Sequence, residues 1–370
     1  MGWFLWVPVL LAAVWAAHWG AEHLSKPLKK LRRQWGFSVA AGGSFVGLAA
    51  ASPEIAINTT SAIRGVTDIG LGAMLGSNIL AIPTMVTVAY FATRKRDLGQ
   101  GKGNDGGSKQ SQEEGRAERA SKEGGQHSDR KQGGGSGGHQ NHGEHVEQGI
   151  LAVDRTAVTV QAIPYLVIVG IAALLTLPVP GRGLQPIDGW VMLAAYAVYL
   201  AQALLRGRQK SEKVEWKKGE IWKAMAGVGA LVVGAYFTVL STENIVQGLG
   251  VPRIIGGLFI TAPVAALPEV FATWYVARSG QVTSAVTSVI GDHAVTMTIA
   301  FFPLALVTTY VMNPLLFQVN LVFVALVPSL YAAFIHFGGS EHGFKRWQVV
   351  TLLAVPVVWV FLIVFWVRPA

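Results

Sequence analysis

The stretch GLAAASPEIAINTTSAIRG at residues 47–65 returns 215 residues later as APVAALPEVFATWYVARSG at 262–280. The same shift aligns the wider segments 42–81 and 257–296, with identities at Gly42/Gly257, Ala50/Ala265, Ala51/Ala266, Pro53/Pro268, Glu54/Glu269, Ala62/Ala277, Gly65/Gly280 and Gly76/Gly291. Each copy holds Ala-Ala-x-Pro-Glu, a glycine eleven residues on, and another glycine after eleven more. A proline inside an apolar, helix-length stretch removes a backbone donor and breaks the helix there. Each copy therefore predicts a helix interrupted at its Pro-Glu, followed by a second helix. Internal repetition constrains architecture before any single motif does.

The surroundings say where such helices sit. Of 370 residues, 51% are hydrophobic and 14% charged, against about 25% charged in an ordinary soluble domain. Apolar runs such as 3–21 and 315–337 are long enough to cross a bilayer. A soluble enzyme is excluded. Ten apolar segments are expected at roughly 3–24, 37–63, 66–92, 158–178, 188–206, 220–247, 253–278, 282–311, 315–337 and 345–367. The first lacks a basic flank and a small-residue cleavage site, so it reads as a retained helix rather than a signal peptide. There is no cysteine, hence no disulfide and no thiolate chemistry.

Lys and Arg orient the segments. The loop expected after the first carries Lys26, Lys29, Lys30, Arg32 and Arg33. Arg94, Lys95 and Arg96 follow the third, and Arg206, Arg208, Lys210, Lys213, Lys217 and Lys218 follow the fifth. Lys345 and Arg346 precede the tenth. The other side holds only Arg64, Arg182, Arg253 and Arg368. This asymmetry predicts both termini outside a plasma membrane, with the basic loops in the cytoplasm. It also accounts for the net charge of +9 without nucleic acid; the surroundings to expect are a lipid bilayer and inorganic cations.

The expected fold is an all-α polytopic membrane protein of about ten transmembrane helices, arranged as two inverted five-helix repeats with broken helices at the midplane. Five is odd, so the second half enters the membrane the opposite way up, as in secondary transporters. The chain divides into 1–96 with the first repeat, a loop at 97–157, two helices at 158–206, a cytoplasmic linker at 207–219, and 220–370 with the second repeat. The loop is rich in Gly, Ser, Gln, His, Lys and Glu, and has no large apolar side chain between Leu98 and His145. It predicts cytoplasmic disorder. Its His127, His139, His142 and His145 read as solvated linker or as a weak metal-sensing stretch.

Outside that loop there are eleven acidic residues. Eight sit at helix ends or in loops, where water can solvate them. Glu54, Glu269 and Asp292 fall inside apolar segments, all within the repeats. A carboxylate at bilayer depth costs several kcal/mol unless paired, protonated or holding a cation, and no Lys or Arg is available at that depth. Protons or metal ions remain. Pro53 frees the carbonyl of Ala49, and Pro268 that of Val264. Carboxylates plus free carbonyls, including those of Ala50 and Ala265, make an all-oxygen site suited to hard cations such as Ca²⁺, Mg²⁺, Mn²⁺ or Na⁺. Ser77, Asn78, Ser288 and Thr296 can add oxygens from the next helix, with Asn58 and Thr273 one turn after each glutamate. His293 either accepts a proton or packs locally. Gly42, Gly43, Gly47, Gly256 and Gly257 read as close helix contacts.

This pattern resembles the sodium/calcium exchanger family of cation/Ca²⁺ antiporters: two inverted repeats, each with Pro-Glu in a broken helix and a Gly-Ser-Asn-like segment on the next, here LGSNIL at 75–80 and IGDHAVT at 290–296. The resemblance implies exchange of Ca²⁺ for Na⁺ or H⁺, with Glu54 and Glu269 as central Ca²⁺ ligands and Ser77 as an accessory one. Transported cations are then the only ions required, and no cofactor is expected. The chain departs from the family where Thr and Ser usually precede x-Pro-Glu: it has Ala50, Ala51, Ala265 and Ala266. It also has Ala81 and Thr296 where the family tends to carry Asn or Asp, and Asp292 and His293 in place of Ser-Asn. Its long polar insert follows the third helix rather than the fifth.

Two facing glutamates repel, and a divalent cation, two protons or two monovalent ions relieve the repulsion equally well. Competition for one carboxylate pair gives exchange a physical basis. A cation channel, a uniporter or an exchanger for Mg²⁺ or Mn²⁺ would use the same site. An enzyme is not expected: His-Glu-x-x-His, Gly-x-Ser-x-Gly and paired-Asp clusters are missing from the sequence.

Overall fold

The computed structural model describes residues 2–35, 48–94, 149–153, 155–176, 183–205, 214–216, 218–278, 280, 282–337 and 343–367. Helix α1 (Trp6–Trp35) runs well past the first expected segment. The basic stretch 26–33, expected as a loop, is its helical continuation: Leu, Lys and Arg are good helix formers. Lys30 in these last turns pairs with Glu220.

After a helical turn at 48–50 come α2 (Ser52–Ile63) and α3 (Thr67–Ala92). Strand β1 (Ile150–Ala152) precedes α4 (Arg155–Thr176) and α5 (Pro186–Leu205). Next are α6 (Lys218–Leu249), α7 (253–265, with a π-helical turn at Gly257–Thr261) and α8 (Leu267–Arg278). Helix α9 spans 282–306 with a π-helical turn at Thr296–Ala300. Then come α10 (Pro314–Phe337), β2 (Gly343–Lys345) and α11 (Arg346–Val367).

Seven described helical stretches are long and apolar enough to cross a membrane: Trp3–Ser25, Thr67–Ala92, Lys218–Leu249, Arg253–Arg278, Ala285–Leu306, Pro314–Phe337 and Arg346–Val367. Shorter apolar helices lie at Ala162–Thr176 and Pro186–Ala201. Of the expected second segment, 37–47 lies outside the described residues. The eighth ends at Leu306 rather than at 311, because Leu184 and Thr309 exchange backbone hydrogen bonds that draw the chain out of the helix. Trp222, Phe271, Tyr275, Val357 and Phe365 are all more than half exposed. An apolar exterior on this scale is what lipid tails require of a membrane protein.

Helix α3 is the hub, buried along nearly its whole length and packed against α2, α7, α8, α9, α10 and α11. Small residues permit this. A Cβ on Gly257 would collide with the Ile69 carbonyl, and one on Gly72 with the Ile254 carbonyl, so α3 and α7 touch backbone to backbone. Gly256 is equally confined by Val246 and Thr242, which bears out close packing there. Gly42, Gly43 and Gly47 lie outside the described residues. Helices α1 and α6 lie along one another, with Gly20 against Gly227, and Gly234 against Ala13 and Ala17.

Two expectations are corrected at the end of the insert. Residues 97–148 lie outside the described residues, but 150–152 form a strand and a helix begins at Arg155, where a loop was expected to 157. The fold is also not purely helical: Ile150, Leu151 and Ala152 pair antiparallel with Lys345, Phe344 and Gly343. Ile150, Leu151 and Val153 are buried apolar side chains. Arg94 anchors the strand, its Nη2 donating to the Ile150 carbonyl at 2.8 Å while its guanidinium lies over the Tyr90 ring at 4.1 Å. Burial pushes its pKa down from the usual arginine value.

Candidate cation site

The two Pro-Glu segments adopt the same local form. Ala51 (φ −75°, ψ −1°) and Ala266 (φ −76°, ψ −13°) interrupt the helix ahead of each proline. After each interruption a twelve-residue helix begins, with its glutamate in the first turn. Ile55 N–H donates to the Ala51 carbonyl at 3.0 Å, and Val270 N–H to the Ala266 carbonyl at 3.1 Å. Both helices then end the same way: Gly65 and Gly280 have φ of +68° and +91°, and their N–H groups bond Ala62 and Ala277. A left-handed residue closing a helix is most easily glycine, so the Gly65/Gly280 identity has a backbone cause. First-turn carboxylates are favoured by the positive end of the helix dipole.

These turns bring together residues far apart in sequence. One oxygen each from Glu54, Glu269 and Asp292 lies within 4.8 Å of the other two. Glu54 and Asp292 are 8% and 7% exposed, and Glu269 is half-buried. Glu54 Oε2 and Asp292 Oδ1 are enclosed yet accept no hydrogen bond among the described residues. Buried carboxylate oxygens in that condition are costly unless a cation or proton sits between them. A hard cation ligated by oxygen fits the donor set.

The other expected contributors divide into two groups. Ser77 and Thr296 are buried; their hydroxyls donate to the Met74 carbonyl at 3.1 Å and the Asp292 carbonyl at 3.1 Å, leaving lone pairs for an ion. Ala50 is exposed and Ala265 half-buried, each one residue ahead of its break. Asn58 instead spends its amide on the Ala300 carbonyl at 2.8 Å, Thr273 its hydroxyl on Met85 Sδ at 3.0 Å, and Ser288 is exposed, turned to its own helix. The carbonyl of Ala49, freed by Pro53, is taken up by the Ser52 hydroxyl at 2.8 Å. Asp188, expected to be solvated, is fully buried and accepts from the Gln185 N–H at 2.8 Å.

Asn78 and His293 reveal a residue that sequence reading missed. Asn78 donates to the Met74 carbonyl at 2.8 Å, and its Oδ1 accepts from the Tyr165 hydroxyl at 2.8 Å. His293 is buried with both ring nitrogens unpartnered, and its ring packs 5.7 Å from that of Tyr165. Tyr165 lies in α4, outside the repeated segments 42–81 and 257–296. Its one visible signal is a lone hydroxyl in the otherwise apolar run at 162–173.

Comparison with known proteins identifies the family and the fold. The family described as sodium/calcium exchanger protein matches residues 5–100 and 220–365. Solved structures of the sodium-calcium exchanger NCX_Mj share the fold. The form soaked with 10 mM Na⁺ and zero Ca²⁺ aligns at a TM-score of 0.56 and 17% identity, covering 98% of this chain and 99% of that one. The form soaked with 100 mM Na⁺ and 10 mM Sr²⁺ aligns at 0.55 and 17%, with the same coverage. No curated protein matches.

Proposed function

Because the chain belongs to the sodium/calcium exchanger protein family, we propose that it is a secondary antiporter exchanging a divalent cation, Ca²⁺ foremost, for Na⁺ or H⁺ by alternating access. The observation that carries this reading is the meeting of Glu54, Glu269 and Asp292 oxygens within 4.8 Å, in residues of which Glu54 and Asp292 each keep a buried oxygen without a hydrogen bond among the described residues. A divalent cation would be held by Glu54 and Glu269, with Asp292, Ser77, Asn78, Thr296 and the carbonyls of Ala50 and Ala265 completing the oxygen shell. Removing it leaves like charges at close range, which Na⁺ or H⁺ must neutralise before the site can turn to the other side. That requirement couples the two fluxes. The likeness of the segments around Glu54 and Glu269 supports two inverted five-helix halves in a ten-helix arrangement. Both termini would then lie outside the plasma membrane and the insert at 97–157 in the cytoplasm.

The test is Ca²⁺ uptake into proteoliposomes with Na⁺ and H⁺ gradients imposed separately. Uptake that rises with at least one outward gradient is expected. A response to H⁺ alone assigns the coupling to the carboxylates, since Ala50, Ala51, Ala265 and Ala266 supply no side-chain oxygen for Na⁺. Ca²⁺ flux indifferent to both gradients would make the protein a channel or uniporter and contradict the proposal.

A further inference from the structure

In the 215-residue register that relates the two copies, Asn78 corresponds to His293, just as Ser77 corresponds to Asp292. One side chain touches both members of the Asn78/His293 pair. Tyr165, fully buried in α4, donates its hydroxyl to Asn78 Oδ1 at 2.8 Å and lays its ring 5.7 Å from the His293 imidazole, inclined at 46°. Both imidazole nitrogens lack hydrogen-bond partners among the described residues, and the ring packs against Tyr165. Successive helical residues are held at a fixed rotation from one another. Fixing residue 78 therefore fixes the rotational setting of Ser77 on α3, and fixing residue 293 that of Asp292 on α9.

We propose that Tyr165 is a positioning residue: a strap from outside both repeated segments, 42–81 and 257–296, that holds the Ser77–Asn78 and Asp292–His293 segments in register across the cation site. This rests on the exchanger reading of that site. Ca²⁺ and Mg²⁺ differ in preferred oxygen distance by only a few tenths of an ångström, so a site that discriminates between them needs its two walls held at a set separation. The repeats cannot supply this themselves, because Asn78 and His293 are different residues and neither reaches the other's backbone through any hydrogen bond described. The hydroxyl governs one wall and the ring the other.

The strap is tested by Ca²⁺ transport of Tyr165→Phe, which keeps the ring, together with Asn78→Ala and the double variant. Tyr165→Phe is expected to raise the half-saturating Ca²⁺ concentration about three- to tenfold, the worth of one buried hydrogen bond, with the maximal rate within about twofold. Its preference for Ca²⁺ over Mg²⁺, read as competition by Mg²⁺, should narrow. In the Asn78→Ala background the same change should add nothing, since coupled residues are not additive; where Asn78→Ala transports too slowly, Ca²⁺ binding isotherms complete the cycle. An unchanged half-saturation in Tyr165→Phe, effects that multiply in the double variant, or a lower maximal rate that merely follows the amount of folded protein would each overturn the strap. Wild-type protein without coupled Ca²⁺ flux would overturn the exchanger reading and the strap with it, whereas coupled wild-type flux with a multiplicative cycle overturns the strap alone.

Discussion

Glu54, Glu269 and Asp292 could be picked out of the sequence because each is a carboxylate stranded in an apolar run, and burial of such a group demands a partner. The structure brings one oxygen of each within 4.8 Å of the others. Side chains whose role depends on what lies across the interface were not legible in the same way. Asn58 and Thr273 share the glutamates' helices at a suggestive spacing, yet one caps Ala300 and the other meets Met85. Tyr165 stood in no motif, and the packing of α4 against α9 and α10 delivers it to the site. At this scale Glu54→Gln and Glu269→Gln, which keep the volume and remove the charge, should each cut Ca²⁺ flux at least about tenfold, the cost of losing one charged ligand interaction. Melting temperatures should hold or rise, because a buried charge has been removed. Flux retained in either variant would remove that residue from the site.

At the scale of elements, proline placed the breaks: Pro53 and Pro268 each follow an interruption, at Ala51 and Ala266. What proline could not reveal was that Ser52 satisfies the carbonyl that Pro53 frees, or that α1 continues through its basic end to Trp35. Charge decided that second point. Lys30 pairs with Glu220 where α1 meets α6. At the opposite end of α6, Glu243 accepts from Arg64 at 2.9 Å and Arg253 at 3.1 Å, joining α6 to α2 and α7. The hydrogen bond to Glu243 raises the Arg64 pKa above its usual value, so this cation stays charged at any working pH. Glu243→Gln leaves two guanidiniums facing a neutral amide and should destabilise the protein by about 1–2 kcal/mol, more than a lone surface pair but less than a dry one. Thermal unfolding in detergent measures this; an unchanged midpoint would mean that α6 is held by its apolar contacts alone.

For the molecule as a whole, composition and run length announced a membrane protein, and an exterior bearing Trp222, Phe271 and Tyr275 agrees. Repetition announced the site, because Ala-Ala-x-Pro-Glu builds the same break and the same first-turn carboxylate twice. The β1–β2 pair was invisible beforehand: three-residue strands leave no periodicity, and their partners lie 191–195 residues apart in reverse order. The central claim is that one divalent cation binds where the two halves meet. Calorimetric titration of the purified protein with Ca²⁺ tests it most directly. One Ca²⁺ per chain is expected, with binding lost in both Glu54→Gln and Glu269→Gln; undiminished binding in both variants would place the cation elsewhere and contradict the account.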